Sequence, residues 1–239
     1  YAELIGMIAK REGFGDLLAE GSRKASQIVG RGSIYYAMQT KGLEHPGHST
    51  RATHGMGLGY AVNTRGGHHH DCRDFEYHAN PKLDYDGNMT ANEGKPLMQY
   101  KLSRWTAYAD CAGYCHFFEK FYGNVMSEVH ADMIRLITGM DLTVEDLYRI
   151  GERVWTLERA FNCREGHRRE QDVVPERFMK EPIPSGPMKG AVLTREELEM
   201  MKDEFYDWYG WDKVTGVPTI ERWESLDLSR DEYPVPELL

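Results

Sequence analysis

The sequence predicts an all-α fold with long, irregular connections rich in glycine and histidine. Three observations carry that expectation. Apolar residues recur with a helical period between residues 97 and 163 and again between 194 and 210. Two of these stretches open on a capping box, Thr143 with Asp146 and Thr194 with Glu197. Only one short run, Ile34 to Gln39, has the character of a strand.

The elements follow in order. Ala2 to Arg11 places Leu4, Ile5 and Ile8 on one side of a helix and Glu3, Lys10 and Arg11 on the other. Gly13 and Gly15 break it. Asp16 is the expected cap of a second helix, whose stripe is Leu17, Leu18, Ala25, Ile28 and Val29 and whose end is Gly30. Residues 30 to 100 lack clean periodicity and are rich in Gly, His, Asn and Pro, the pattern of a structured loop region that carries function. Leu97, Met98, Lys101, Leu102 and Trp105 begin a helix that reaches Asp110. Val129 to Thr138 is short, with Met133, Ile134 and Ile137 expected inward. Thr143 to Cys163 is the clearest helix, with Leu147, Ile150, Val154, Leu157 and Phe161 as its stripe. The last helix runs from Thr194 through Met201, Phe205 and Trp208 to Gly210. Glu181 to Gly190, with three prolines and two glycines, is a surface connection.

The chain has 239 residues, 41% hydrophobic and 28% charged. That suffices for a packed core and excludes wholesale disorder. A formal net charge of −9 argues against nucleic acid as the main partner. No apolar run reaches the roughly 18 residues of a membrane span, and no secretory leader is visible. A cytoplasmic location is expected. The chain starts at Tyr1 and enters a helical pattern at once, which suggests a piece of a larger protein. The four cysteines, Cys72, Cys111, Cys115 and Cys163, do not have the spacing of a disulfide framework.

Three constellations could carry chemistry. Arg65-Gly66-Gly67-His68-His69-His70-Asp71-Cys72 combines paired glycines, which let backbone approach a ligand closely, with metal-ligating side chains. Either a metal sits there or one histidine works and the others are incidental. Asp110-Cys111-Ala112-Gly113-Tyr114-Cys115 places two thiols four residues apart, for a metal or as structural cysteines. Phe161-Asn162-Cys163-Arg164-Glu165-Gly166, followed by Arg168, Arg169, Asp172 and Arg177, is either a salt-bridged turn or a site for an anionic cofactor.

Six motifs in order resemble the family of tungsten-containing aldehyde:ferredoxin oxidoreductases. They are Glu12 through Gly21, Lys41 through Glu44, Gly55 through Ala61, Arg65-Gly66-Gly67, Asp110 through Cys115, and Phe161-Asn162 with Arg164-Glu165-Gly166. That family also includes the active-site subunit of the tungsten benzoyl-CoA reductases. The resemblance covers only the family's carboxy-terminal half to third, its helical domains 2 and 3. The amino-terminal domain that cradles the pterins has no counterpart in the sequence.

The resemblance implies a tungsten (or molybdenum) bis-pyranopterin and one [4Fe–4S] cluster. Asp110, Gly113 and Cys115 match an Asp-x-x-Gly-Leu-Cys motif, with Tyr114 in place of Leu. Asp110, Gly113, Tyr114 and Arg65 would then bind the pterin, and Cys115 would be a cluster thiolate facing the same cavity as Asp110. His69 matches a histidine beside the metal, in a catalytic role, although His68 or His70 could be the working residue. Asp71 stands where a basic residue is usual, with Arg73 nearby. The segment Pro46-Gly47-His48-Ser49-Thr50-Arg51 also departs from the family's pattern.

The implied organisation is a domain over residues 1–140 carrying the cofactor-facing loops and a helical portion over 141–239 packed on it. The implied reaction is oxidation of an aldehyde to a carboxylic acid, with ferredoxin or another low-potential carrier as acceptor. The remaining amino-terminal part of the enzyme is an implied partner, and a homo-oligomer is compatible with this reading. An aryl-CoA reductase fragment acting on an aryl substrate, a non-catalytic helical module and a simple His-loop metal protein are the alternatives.

Overall fold

The computed structural model describes residues 1–71, 87–116 and 126–228. The described residues are mostly helical. The helices are α1 (Ala2–Lys10), α2 (Phe14–Leu18), α3 (Gly21–Val29), α4 (His54–Val62), α5 (Lys95–Ala112), α6 (Glu128–Thr138), α7 (Val144–Arg164), α8 (Glu176–Lys180), α9 (Arg195–Tyr209) and α10 (Ile220–Ser225). The described strands are β1 (Gln39–Thr40) and β2 (Leu43–Glu44), an antiparallel pair with Thr40 opposite Leu43. No described helix is long and apolar enough to cross a membrane.

Both predicted capping boxes are present. Asp146 N–H donates to Thr143 Oγ1 and Glu197 N–H donates to Thr194 Oγ1, each at 3.2 Å, satisfying donors that the helix itself leaves orphaned.

Five local expectations are corrected. Residues 14–29 form two helices, not one, and Asp16 lies inside α2 rather than capping it. Gly13 at φ 56° takes the cap position, while Asp16 pairs with Arg11 at 2.8 Å. Ile34 to Gln39 is not a strand. Ser33–Tyr36 is a 3₁₀ turn, and only Gln39–Thr40 finds a pairing partner across the Lys41-Gly42 turn. α4 lies in the stretch expected to be loop. All nine of its residues are buried and three are glycine, so it shows no amphipathic period. On α6, Ile137 faces outward at 78% exposure, and His130 and Ala131 are the buried residues. On α7 the buried face is Leu147, Gly151, Glu152, Trp155, Thr156, Arg159, Ala160 and Cys163, and Phe161 is exposed. Two charged residues on the buried face disguise it in the sequence.

The main core joins α4, α5, α7 and α9 around Met56, Leu58, Tyr60, Trp155, Phe205, Tyr206, Tyr209 and Trp211. A second cluster, Leu102, Trp105, Tyr108, Ala131 and Leu147, lies between α5, α6 and α7. α5 and α7 approach until a Cβ at Gly151 would sit 1.6 Å from the Arg104 carbonyl oxygen, so only glycine fits there. Glu152 is satisfied by Tyr100 Oη at 3.0 Å, Arg104 at 3.3 Å and Arg222.

One charge cluster is buried in the middle of this packing. Asp172, fully inaccessible, accepts from Arg159 Nη1 at 2.8 Å, Lys41 Nζ at 2.7 Å, His167 Nε2 at 2.8 Å and Tyr206 Oη. Burial pushes its carboxyl pKa up, but Arg159, Lys41 and His167 outweigh that and hold it well below the usual range. Burial brings Lys41 down to about 8, against the pull of Asp172.

Asp172→Asn leaves two buried cations without their anion and is expected to cost about 3–5 kcal/mol in denaturant unfolding. The native carboxyl is depressed, so its contribution is full above the unfolded pKa near 4 and is lost as pH falls from there towards the lower native value. The variant is therefore also expected to show a flatter acid limb in stability against pH.

Candidate functional site

Lys41 links this charge cluster to the histidine loop. Its ammonium donates to the carbonyl oxygens of Ala61 (2.6 Å) and Asn63 (2.7 Å), at the C-terminal end of α4. Lys41 itself sits at φ 56° and Gly42 at φ 93°, the left-handed pair that a tight two-residue hairpin turn requires.

Asn63 then organises the loop that follows. Its Oδ1 accepts from Arg65 N–H at 2.8 Å, and its Nδ2 donates to Asp71 Oδ2 at 2.7 Å and to the His68 carbonyl at 3.2 Å. Gly67 N–H donates to Thr40 O at 3.1 Å. A Cβ at Gly66 would lie 2.6 Å from Thr40 O, and one at Gly67 2.4 Å from Leu43 O. The paired glycines therefore permit close approach to the β1–β2 hairpin, where the sequence suggested approach to a ligand.

Arg65 reaches from this loop to the end of α5. Its Nη2 lies 2.6 Å from Asp110 Oδ2 and 3.4 Å from Asp71 Oδ1. Burial works against its charge, yet Asp71 and Asp110 raise its pKa overall. His116 Nε2 lies 2.8 Å from Asp110 Oδ1. Each Asp110 oxygen keeps a second lone pair for an incoming N–H donor. Gly113 at φ 75° ends α5 with a left-handed cap, and Tyr114 packs against Tyr108 and His130.

The histidine rings gather beside this pair. Centroids are 4.6 Å apart for His68 and His70, 4.8 Å for His69 and His70, and 5.1 Å for His48 and His69, and His70 lies 5.7 Å from His116. Among the described residues, no group of three or more His, Cys, Asp or Glu side chains is placed to hold a metal ion. Cys72 and Arg73 lie outside the described residues.

The cysteines divide. Cys163 is buried, and burial raises its thiol pKa. Cys111 and Cys115 are exposed at the end of α5. Cys115 is exposed, and Asp110 is itself half exposed on the same end of α5. Burial, with Asp110 and Glu158 nearby, pushes the Cys111 thiol up.

The charge-dense segment after α7 is a salt-bridged turn. Arg169 pairs with Glu199 and Asp203 at 2.6 Å each, Arg177 with Glu181 at 2.7 Å, and Arg168 donates to two backbone carbonyls. Asn162 acts on the site indirectly, donating to Thr64 O at 2.7 Å. Thr64 Oγ1 donates to Glu158 Oε2 at 2.7 Å, and burial raises the pKa of that carboxyl.

Sequence reasoning missed Asn63, Glu158 and His116 as site residues. His48 was noted only for its unusual segment. None of these has a motif of its own; their meaning comes from long-range packing.

Comparison with known proteins adds the family. A model described as aldehyde ferredoxin oxidoreductase, domains 2 and 3, matches residues 1–228. This chain belongs to the aldehyde ferredoxin oxidoreductase family. Among its relatives is the tungsten-containing aldehyde ferredoxin oxidoreductase of Pyrococcus furiosus, 36% identical over 230 residues, covering 94% of this chain and 36% of the relative. The protein of the same name from Pyrococcus horikoshii is 37% identical over 220 residues, 90% of this chain and 34% of the relative. The chain thus spans about a third of the length of these relatives. The WOR-like subunit of an aliphatic sulfonate oxidoreductase from P. furiosus is 29% identical, with all of this chain and 36% of that one covered. The fold is shared with the active-site complex BamBC of benzoyl coenzyme A reductase, solved with 1,5-dienoyl-CoA, at TM-score 0.62 and 20% identity, covering 99% of this chain and 40% of that one. Arg65-Gly66-Gly67 and Asp110 through Cys115, two of the six family-like motifs, meet in space through the Arg65–Asp110 ion pair.

Gly67→Ala is expected to displace the loop from the hairpin and destabilise the protein by about 1–3 kcal/mol, the usual cost of overpacking. Gly6→Ala, in a helix with nothing within 4 Å of the added Cβ, is expected to be neutral or slightly stabilising. Thermal melts of the two variants check the contrast.

Proposed function

We propose that this chain is the carboxy-terminal part of a tungstopterin iron–sulfur oxidoreductase that oxidises aldehydes to carboxylic acids and passes electrons to ferredoxin. The observation that carries this reading is the Arg65–Asp110 ion pair beside the exposed thiol-bearing end of α5. The names of the relatives at 36–37% identity supply the tungsten and the aldehyde.

The donor set fits the implied groups in kind. Asp110 has acceptor capacity for pterin N–H groups, and Arg65 has a partly exposed guanidinium for its oxygens. The backbone at Gly113 and Tyr114 lies between Asp110 and Cys115. Cys115 offers one thiolate; a [4Fe–4S] cluster takes about four, so the others come from elsewhere in the enzyme. The amino-terminal part of the enzyme then covers this exposed face.

When bound, the pterin-held metal supplies the two-electron chemistry, and the cluster carries the electrons away. Aldehyde plus water gives acid, two protons and two electrons. We assign His69 to the protons: imidazole titrates near neutral pH, and the ring lies among His48, His68 and His70. Asp110 and Arg65 would orient the cofactor, and Cys115 would anchor the cluster.

The test is metal analysis of the anaerobically purified full-length enzyme for tungsten, molybdenum and iron, with two cysteine variants. Cys115→Ala is expected to lose iron and the visible absorption of the cluster, and Cys111→Ala to keep both. Equal loss in the two, or wild-type protein without tungsten or molybdenum, contradicts the proposal.

A further inference from the structure

Asp71 is the most deeply buried charge near the site, at 0% side-chain exposure. The side chain is enclosed by its own loop, where the family pattern has a basic residue. A lone buried carboxylate costs several kcal/mol unless its partners repay the lost hydration. Among the described residues, the partners of its carboxylate lie on the histidine loop or at its root. Asn63 Nδ2 donates to Oδ2 at 2.7 Å, Arg65 Nη2 lies 3.4 Å from Oδ1, and His68 Nδ1 lies 3.8 Å from Oδ2. From α5, Gln99 Nε2 donates to the Asp71 carbonyl at 2.8 Å. Glu158 on α7 is the other acid that senses this charge.

This arrangement has two consequences. Arg65 Nη2 is shared between Asp71 and Asp110, so the guanidinium is fixed from both sides, one carboxylate in the loop and one on α5. The His68 ring turns its Nδ1 edge towards Asp71 Oδ2 at 3.8 Å, where Nδ1 also accepts from His70 N–H at 3.4 Å, and its Nε2 edge points away from the buried acid. The His68 and His70 rings lie 4.6 Å apart at a tilt of 36°, and His69 meets His70 edge-on at 4.8 Å, so the orientation of one ring constrains the next two.

We propose that Asp71 is the positioning residue of this site: a buried carboxylate that holds Arg65 on Asp110 and sets the orientation of the His68–His70 run. It acts only through these neighbours. The inference rests on the functional reading above for its kinetic consequence, but not for its geometry.

The test is Asp71→Asn in the full-length, metal-loaded enzyme. The isosteric amide keeps the volume but loses the charge, and its NH₂ replaces one of the two oxygens, so it faces either the Asn63 or the Arg65 donor while the remaining oxygen still accepts from the other. The expected result is retained metal and iron, a melting temperature near wild type, an aldehyde KM changed less than about twofold, and kcat lowered about 10²-fold, the scale of an approximately 1 Å misplacement. A crystal structure of the variant is expected to show the His68 ring turned from its wild-type position. Unchanged kcat overturns the proposal, as does loss of metal, stability and kcat together, which marks a purely structural role. If the wild-type enzyme proves inactive on aldehydes, the functional reading fails, while the variant structure still decides the geometric claim: an unmoved His68 ring and Arg65 contradict it.

Discussion

A fully buried carboxylate ties the architecture together. Asp172 is enclosed by Arg159, Lys41, His167 and Tyr206, each from a different part of the chain. None of these charges is tolerable in a core alone, so the segments that carry them must meet. Arg159 comes from α7, Tyr206 from α9 and Lys41 from the hairpin turn. Lys202 adds a hydrogen bond to the Asp172 carbonyl at 3.0 Å, and Arg159 Nε donates to Gly216 O at 2.7 Å. Apolar packing of Trp155, Phe205 and Tyr209 supplies the bulk of burial. The charges decide which arrangement that burial takes.

Lys41 carries the constraint outward. By donating to Ala61 O and Asn63 O it fixes the point where α4 ends and the histidine loop begins. Asn63 then ties both ends of the loop, and the hairpin backbone holds Gly66 and Gly67. Asp71 closes the loop with a second buried acid, and Arg65 crosses to Asp110. The Arg65–Asp110 pair is thus the outer end of a chain of hydrogen bonds that starts in the core. Asn162, in a motif that looked like a cofactor contact, belongs to the same support through Thr64.

Helices with conventional signals were legible in the sequence. α7 and α9 announce themselves by Thr143/Asp146 and Thr194/Glu197, because a capping box is a local interaction complete within four residues. α4 was not legible. Full burial erases the polar face that makes a period visible, and Gly55, Gly57 and Gly59 read as loop. The true buried face of α7 was hidden by Glu152 and Arg159, which are neutralised by partners 48 to 70 residues away or more locally by Asp172. At the site, Arg65 and Asp110 were legible because they sit in motifs. His48, His116 and Asn63 were not, because only the fold brings them there. The exposure of Cys115 was not legible either, because a thiol four residues from another reads the same whether it is buried or at the surface.

The link between the core and the loop is the claim most open to direct measurement. Hydrogen–deuterium exchange of Lys41→Met against wild type, read peptide by peptide, isolates it. Faster exchange over residues 63–71, with α5 and α9 still protected, is the result expected if Lys41 transmits the order of the Asp172 cluster to the histidine loop. Unchanged exchange over residues 63–71 would show that the loop holds itself, and that the buried charges and the candidate site are independent.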